Sequence, residues 1–194
     1  MSDLTDAQIK NEGLHAFVFV DEVDPQTDFR QAIADVRGLG RSRVLFAAEV
    51  VGSTLGFVHL RVDDDDFRGL QDLIFRELWD LGIRCSHCLE IKTGRQGVKR
   101  DTPDVIAISK LRVVRDGIDD LIDALEADDS PVRDTLKGIS VVTGDWDVLV
   151  QLNGPDFETV RRAVLEDLTR VPGILASDTL FTDGGYEPPL KDEG

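Results

Sequence analysis

The sequence has little that could stabilise a fold covalently or hold it in a lipid bilayer. Among its 194 residues are only two cysteines, Cys85 and Cys88, within one apolar segment. No apolar run approaches the roughly 20 residues that a membrane-spanning helix needs, and no secretory leader is recognisable. These absences predict a cytoplasmic protein with no membrane partner, whose stability comes from apolar cores rather than from disulfides.

Positive charge is also scarce. The chain has 22 Lys and Arg residues against 38 Asp and Glu residues, which gives a formal net charge of −16. Such a surplus repels the phosphate backbone, so we expect no direct nucleic-acid partner. The preference for Asp over Glu resembles proteins adapted to high cytoplasmic salt, and an ordinary acidic bacterial protein remains the alternative.

Recognisable catalytic motifs are missing as well. The chain has three histidines, which assemble into no evident Ser-His-Asp or Cys-His arrangement, and it contains neither a P-loop nor a GxGxxG segment. On this basis we expect neither an enzyme nor a resident cofactor.

The most informative feature that is present is a repeat. Two apolar series at helical spacing lie 90 positions apart: Phe67, Leu70, Ile74, Leu78 and Leu81, and then Phe157, Val160, Val164, Leu168 and Val171. Strand-like runs that end in glycine precede both series, at Val50-Val51-Gly52 and at Val141-Val142-Thr143-Gly144. The chain therefore reads as one α/β unit present twice.

Each copy predicts the order βαββαβ. In the first copy we expect strands at 15–23, 44–51, 55–62 and 83–91, with helices after Asp28 and at 67–81. In the second we expect strands at 105–114, 139–143, 146–152 and 174–182, with helices near 118–125 and at 157–171. Phe17 and Phe19 alternate with Val18 and Val20, so the first strand should be buried on both faces.

This pattern predicts an α+β fold class. We expect two tandem ferredoxin-like βαββαβ domains whose antiparallel sheets pair pseudo-symmetrically. The expected boundaries are an N-terminal tail at 1–13, domains at 14–91 and 104–183, a linker at 92–103 and a disordered tail at 184–194.

The second half contains a more specific pattern. The hairpin Gly138 to Val150, the turn Val171-Pro-Gly-Ile174 and the strand Ser177 to Thr182 resemble the ligand-binding (RAM, ACT-like) domain of the Lrp/AsnC family of amino-acid-responsive regulators. The signature of that family is a TG-x-aromatic-D hairpin, a helix that ends in PGV, and a threonine-containing last strand. The first half matches in layout but has Leu55 where the hairpin aspartate would be. Thirteen residues before the first strand are too few for the helix-turn-helix of the family.

The resemblance implies an effector site around the hairpins. Its residues would be Gly144, Asp145, Trp146, Asp147 and Thr179 in the second half, and Gly52, Ser53 and Thr54 in the first. Backbone N–H groups of a glycine turn can hold an α-carboxylate, while an aspartate, Asp147 above all, pairs with an α-ammonium. The alternative is that the two aspartates only fix the turn and Trp146 packs in the core.

The expected function is therefore that of a regulatory protein that binds a small-molecule effector such as an amino acid. Without its own DNA-binding domain, it would act by self-association or through full-length Lrp-like regulators. Two alternatives stay open. One is an α/β-barrel enzyme that resembles siroheme decarboxylases, which histidines on inward strand faces would support, and His59 lies on such a strand, aligned with Gln151 of the other copy. The other is a pure assembly module.

One short segment invites a metal or redox interpretation. Cys85, His87 and Cys88 fall within four positions, but residues three apart on a strand point to opposite faces, and no second ligand pair completes four ligands. Buried free cysteines are the favoured alternative, and we expect no metal.

Overall fold

The computed structural model describes residues 14–35, 42–50, 56–62, 67–95 and 105–182. This part of the chain forms eight strands: β1 (Leu14–Val23), β2 (Ser42–Glu49), β3 (Gly56–Val62), β4 (Ile83–Arg95), β5 (Val105–Val113), β6 (Leu136–Val142), β7 (Val148–Gly154) and β8 (Ile174–Thr182). Between them lie the helices α1 (Phe29–Asp35), α2 (67–80), α3 (Ile118–Glu126) and α4 (157–170). None of these helices is long and apolar enough to cross a membrane.

The strands form a single antiparallel sheet. Hydrogen-bonded neighbours follow the order β2-β3-β1-β4-β6-β7-β5-β8, so the predicted fold class of two tandem ferredoxin-like domains with separate, paired sheets is wrong. The physical reason lies in β4, which is 13 residues long and extends past the predicted end at Ile91. Exposed backbone groups of an edge strand readily take another strand as partner, and the stretch from Glu90 to Arg95 pairs with β6.

Two compact units divide the described residues. The first contains 14–35, 42–47, 56–62 and 67–87, and the second contains 48–50, 88–95 and 105–182. β4 therefore begins in the first unit and ends in the second, and its last residues cover the start of the predicted linker at 92–103. The predicted domain boundaries themselves stay a prediction.

In the first unit, the pairing of β1 with β3 separates two sets of side chains. Val18 pairs with Val58 and Ala16 with Leu60, and these small and branched side chains share the face that α1 covers. Gly56 lies on that face as well, where an added Cβ would come within 2.6 Å of the Phe29 ring. Glycine is therefore needed here so that α1 can approach the sheet.

In the second unit, one sheet face and two helices enclose an apolar core. Alternate residues of β5, β6 and β7 meet the apolar stripes of α3 and α4, as their periods require. The fully buried members of this core, at most 1% exposed, are Ala107, Leu111, Leu121, Leu125, Val132, Leu136, Ile139, Val148, Val150, Leu152, Val160 and Ala163.

The helices α2 and α4 share an irregularity. Each contains a π-helical turn, at Leu73–Glu77 and at Ala163–Asp167, at matching positions of the repeat. A π-turn inserts one residue into the helical ladder and re-aims the side chains around it. It leaves Phe75 and Leu165 exposed in the middle of otherwise amphipathic helices.

The buried core predicts that a Leu→Ala substitution destabilises the protein far more inside the core than on the surface. Leu152→Ala removes a side chain that is fully buried in the core of the second unit and should lower the free energy of unfolding by about 2–5 kcal/mol. Leu175→Ala, at a leucine that is 67% exposed, is the matched control and should change it by less than about 0.5 kcal/mol. Urea denaturation followed by circular dichroism measures both, and equal effects would contradict the assigned core.

Candidate functional site

The face of the first unit opposite α1 has an unusual composition. His15, Phe17 and Phe19 of β1 alternate onto it, and they meet Phe57 and His59 of β3. His15 and the three phenylalanines are between 3% and 6% exposed, and His59 is partly buried. Two imidazoles therefore lie within an aromatic, largely water-excluded layer.

The two imidazoles are in direct contact. His15 Nδ1 and His59 Nε2 are 2.8 Å apart, which is a hydrogen bond in which one ring donates and the other accepts. We call His15 and His59 the imidazole pair. Strand register positions it, because Phe17 is the direct cross-strand partner of His59 and His15 follows on the same face, two residues away. The Phe17 ring stacks on the His59 ring with centroids 4.5 Å apart and fixes its orientation.

The surroundings keep His59 uncharged. Burial, and then the charge interaction with the neighbouring His15, lower the pKa of His59 to about 3, because desolvation and a like charge both disfavour the imidazolium. With His59 neutral, the proton shared by the two rings belongs either to His15 Nδ1 or to His59 Nε2.

The second half does not repeat this arrangement. Ile108 pairs with Gln151 where Phe17 pairs with His59, and Ile106 stands at the position of His15. Gln151 Nε2 donates to Asn153 Oδ1 at 3.0 Å, so a hydrogen-bonded pair of amides occupies the equivalent strand. Within the described residues the imidazole pair thus occurs in the first half alone.

The residues predicted from the second hairpin have structural partners. Gly144 adopts a φ of 106°, which the turn requires and which glycine tolerates. The Asp147 carboxylate accepts the Val113 N–H at 2.8 Å, and the Asp147 N–H donates to the Leu111 carbonyl at 2.9 Å. Asp147 therefore joins the hairpin to β5. A ligand contact at this residue stays a prediction.

The other residues predicted for the effector site contact different neighbours. The Asp145 carbonyl accepts a hydrogen bond from Arg112 at 3.0 Å, and the guanidinium of Arg112 lies 5.4 Å from the Trp146 ring centroid. The Thr179 hydroxyl bonds to Ser109 at 2.8 Å, on the sheet face that the helices cover. Gly52, Ser53 and Thr54 lie outside the described residues.

Burial determines the ionisation state of the two cysteines. Burial raises the pKa of Cys85 to about 11 and that of Cys88 to about 12, so both are neutral thiols at physiological pH. His87 packs edge-on against Phe75. In the part of the chain that the structure describes, no group of three or more His, Cys, Asp or Glu side chains could hold a metal ion.

Comparisons with known proteins bear on the fold. No family model and no curated protein matches the sequence. Among solved structures, an anthrone oxidase-like protein matches with a TM-score of 0.60 and 12% identity, over 94% of this chain and 96% of its own. A candidate monooxygenase from Lactobacillus acidophilus matches with a TM-score of 0.57 and 7% identity, over 91% and 97%. A mutant chlorite dismutase from Candidatus Nitrospira defluvii, in complex with cyanide, matches with a TM-score of 0.54 and 12% identity, over 91% and 93%.

The chain has the fold of these proteins. At such low identity the likeness establishes the fold and nothing finer, but it overturns the expected membership in the Lrp/AsnC family. Two further predictions are contradicted because the structural neighbours have enzyme names. These are the prediction of an amino-acid-responsive transcription regulator and the prediction of a protein without enzymatic activity. The hairpin motif misled because a glycine with positive φ and a capping aspartate are what a tight hairpin needs in any fold.

Sequence reasoning considered His59 and missed His15. The two lie 44 positions apart, so no local motif joins them. The signal was alternation: His15 shares a face with Phe17 and Phe19, and His59 shares one with Phe57. Pairing β1 with β3 in register would have brought the two faces together.

Asp147 can be tested as a structural residue. Asp147→Ala leaves the Val113 N–H without its acceptor and should lower the free energy of unfolding by about 1–3 kcal/mol. Asp145→Ala, at an exposed neighbour, is the control and should fall within about 0.5 kcal/mol of wild type. Urea denaturation compares the two, and similar losses would show that Asp147 does not stabilise the fold through this bond.

The neutral state of His59 can be measured directly. Nitrogen-15 NMR of the imidazoles should show His59 uncharged from pH 8 to pH 5, with its pKa near 3 rather than 6.5. Below pH 6.5 the unfolded chain binds a proton at His59 that the folded chain does not bind. Through this residue the free energy of unfolding therefore decreases as pH falls from 6.5 towards 3, by at most about 1.4 kcal/mol per pH unit. A midpoint near 6.5 would contradict the burial and contact assigned to His59.

Proposed function

We propose that this chain is an enzyme that oxidises an aromatic substrate with molecular oxygen, and that the imidazole pair accepts the substrate proton. The observation behind the proposal is the hydrogen-bonded pair held neutral at His59 among buried phenylalanines. The fold shared with an anthrone oxidase-like protein and with a candidate monooxygenase supports the reaction class.

The pair has the properties of an oriented base. In the tautomer that we propose, neutral His59 accepts the hydrogen bond from His15 Nδ1, so it fixes the ring and tautomer of His15 without itself competing for the proton. The second nitrogen of His15 then takes the proton from the substrate. Orientation by a hydrogen-bond partner is a recurring feature of catalytic histidines.

The reaction balances without an additional reductant. A CH₂ group between aromatic rings loses a proton to His15, and the resulting carbanion supplies electrons to O₂, which forms a bond to that carbon. The protonated His15 returns its proton to the terminal oxygen of the resulting peroxide, and loss of water together with the second hydrogen of the CH₂ group leaves a carbonyl. One oxygen atom ends in the product and the other in water, and the substrate itself is the electron donor.

The aromatic layer favours a flat, apolar substrate. The Phe17 and Phe57 rings stack with centroids 6.1 Å apart, and Phe19 lies 5.4 Å from Phe57. Stacking on such rings contributes about 0.5–1.5 kcal/mol per contact beyond the burial of area. A delocalised carbanion is also stabilised by the substrate's own rings, which lowers the demand on the base.

A tetrapyrrole enzyme, suggested by the resemblance to siroheme decarboxylases, would need a histidine nitrogen with an open lone pair for the haem iron. His59 Nε2 is engaged by His15 Nδ1 at 2.8 Å, so His59 as arranged does not offer that nitrogen for axial ligation. No step of the proposed reaction passes through such a group.

The proposal predicts activity that depends on both imidazoles. Purified protein should consume O₂ with anthrones or other activated diaryl methylene compounds, and ¹⁸O₂ should label the product carbonyl. His15→Gln and His59→Gln should each lower kcat/KM by about 100-fold or more. An oxygen electrode measures the rates, and melting temperatures establish that the variants are folded.

Gln151→Ala, at the position equivalent to His59 in the second half, is the matched control and should retain wild-type rates. The protein should lack visible absorbance and should not decompose chlorite. The proposal is wrong if no compound of this class supports O₂ consumption, or if both His variants keep full activity.

A further inference from the structure

A second feature, independent of the imidazole pair, lies on the outer face of α2. Phe75 and Trp79 are 61% and 54% exposed, four residues apart on one side of the helix. We call these two residues the aromatic stripe. Aromatic residues make up only 6% of the chain, so two large ones left in solvent on adjacent turns need an explanation.

The side chains around the stripe hold it in a defined geometry. The Arg84 guanidinium lies 3.3 Å from the centroid of the Trp79 ring and donates a hydrogen bond to the Trp79 carbonyl at 3.2 Å. Phe75 meets His87 edge-on at 5.6 Å. The rings are therefore fixed against β4 and present their free surfaces outward, as binding hot spots do.

Charge is distributed along the stripe in a self-complementary way. Asp72 lies about one turn before Phe75, where its carboxylate is also 3.9 Å from Arg76, and Arg84 lies beyond the carboxyl end of the helix, so the stripe lies between Asp72 and Arg84. If two helices pack antiparallel about a two-fold axis near Glu77, Phe75 of one copy meets Trp79 of the other, and the Asp72 end of each meets the Arg84 end of its mate. Such reciprocity is the requirement for an isologous dimer.

From this complementarity we propose that α2 forms a homodimer interface centred on Phe75 and Trp79, and that its occupant is a second copy of this chain. The other half lacks the stripe, since Leu165 and Thr169 stand at the equivalent positions of α4. The interface therefore closes with two copies and does not propagate into a filament.

Net charge determines how the dimer depends on salt. Each copy has a formal charge of −16, so long-range repulsion opposes association at low ionic strength. Salt shortens the screening length from about 10 Å at 0.1 M to about 3 Å at 1 M and leaves the apolar contact intact. Association should therefore strengthen as potassium chloride rises, whereas a cationic partner would be released.

Sedimentation velocity of the full chain tests the proposal. In 1 M potassium chloride at 100 µM, the wild type should sediment as a dimer, and Trp79→Glu or Phe75→Glu should raise the dimer dissociation constant at least tenfold. Leu175→Glu, at an equally exposed apolar residue outside the stripe, is the control and should stay dimeric. Melting temperatures measured at about 1 µM in low salt, where the wild type and the variants should all be monomeric, should match one another.

Trp146→Phe leaves Trp79 as the single tryptophan, and its emission should shift to the blue as protein concentration rises. A wild-type monomer at 100 µM in 1 M salt overturns the proposal. So does a dimer that Trp79→Glu and Phe75→Glu leave unchanged.

Discussion

The rest of the first unit depends on the pairing of β1 with β3, because β1 is buried on both faces. One face places Ala16 and Val18 under α1, and the other holds His15 and Phe17. A buried polar group without a partner costs about 2–7 kcal/mol, so an imidazole on such a strand must find a hydrogen bond inside the protein. The 2.8 Å contact between His15 Nδ1 and His59 Nε2 provides such a bond for one nitrogen of each ring. The burial of β1 and the geometry of the imidazole pair thus have the same origin.

Most helices and strands could be predicted because their buried apolar residues recur with the period of a helix or of a strand. The stripe of α4 lies at 157–170 where 157–171 was expected, and β8 has the expected bounds. Sheet connectivity could not be predicted in this way. The segment from Lys92 to Arg95 is polar and resembles a linker, but its pairing with β6 is a backbone interaction that side-chain patterns do not encode. The structure therefore has one sheet where the sequence predicted two.

The functional site was harder to predict than the fold. Gly144 and Asp147 stand close together in sequence and form a recognisable motif, yet each has a local structural task in the hairpin. The imidazole pair is created by strand register across 44 positions and has no linear signature. Closeness in sequence therefore directed the prediction to the hairpin, and alternation along β1 and β3 held the information about the imidazole pair.

The two halves satisfy their buried polar groups in different ways. Gln151 and Asn153 occupy the strand positions equivalent to His59 and Arg61, and they satisfy each other at 3.0 Å within one strand. Amides meet the demand of burial without a titratable group, and their contact does not depend on a second strand. The first half instead uses two imidazoles from different strands and lowers the pKa of one of them to about 3. Burial alone does not require this arrangement, since the amide pair meets the same demand, and the difference is the reason to place the chemistry in the first half.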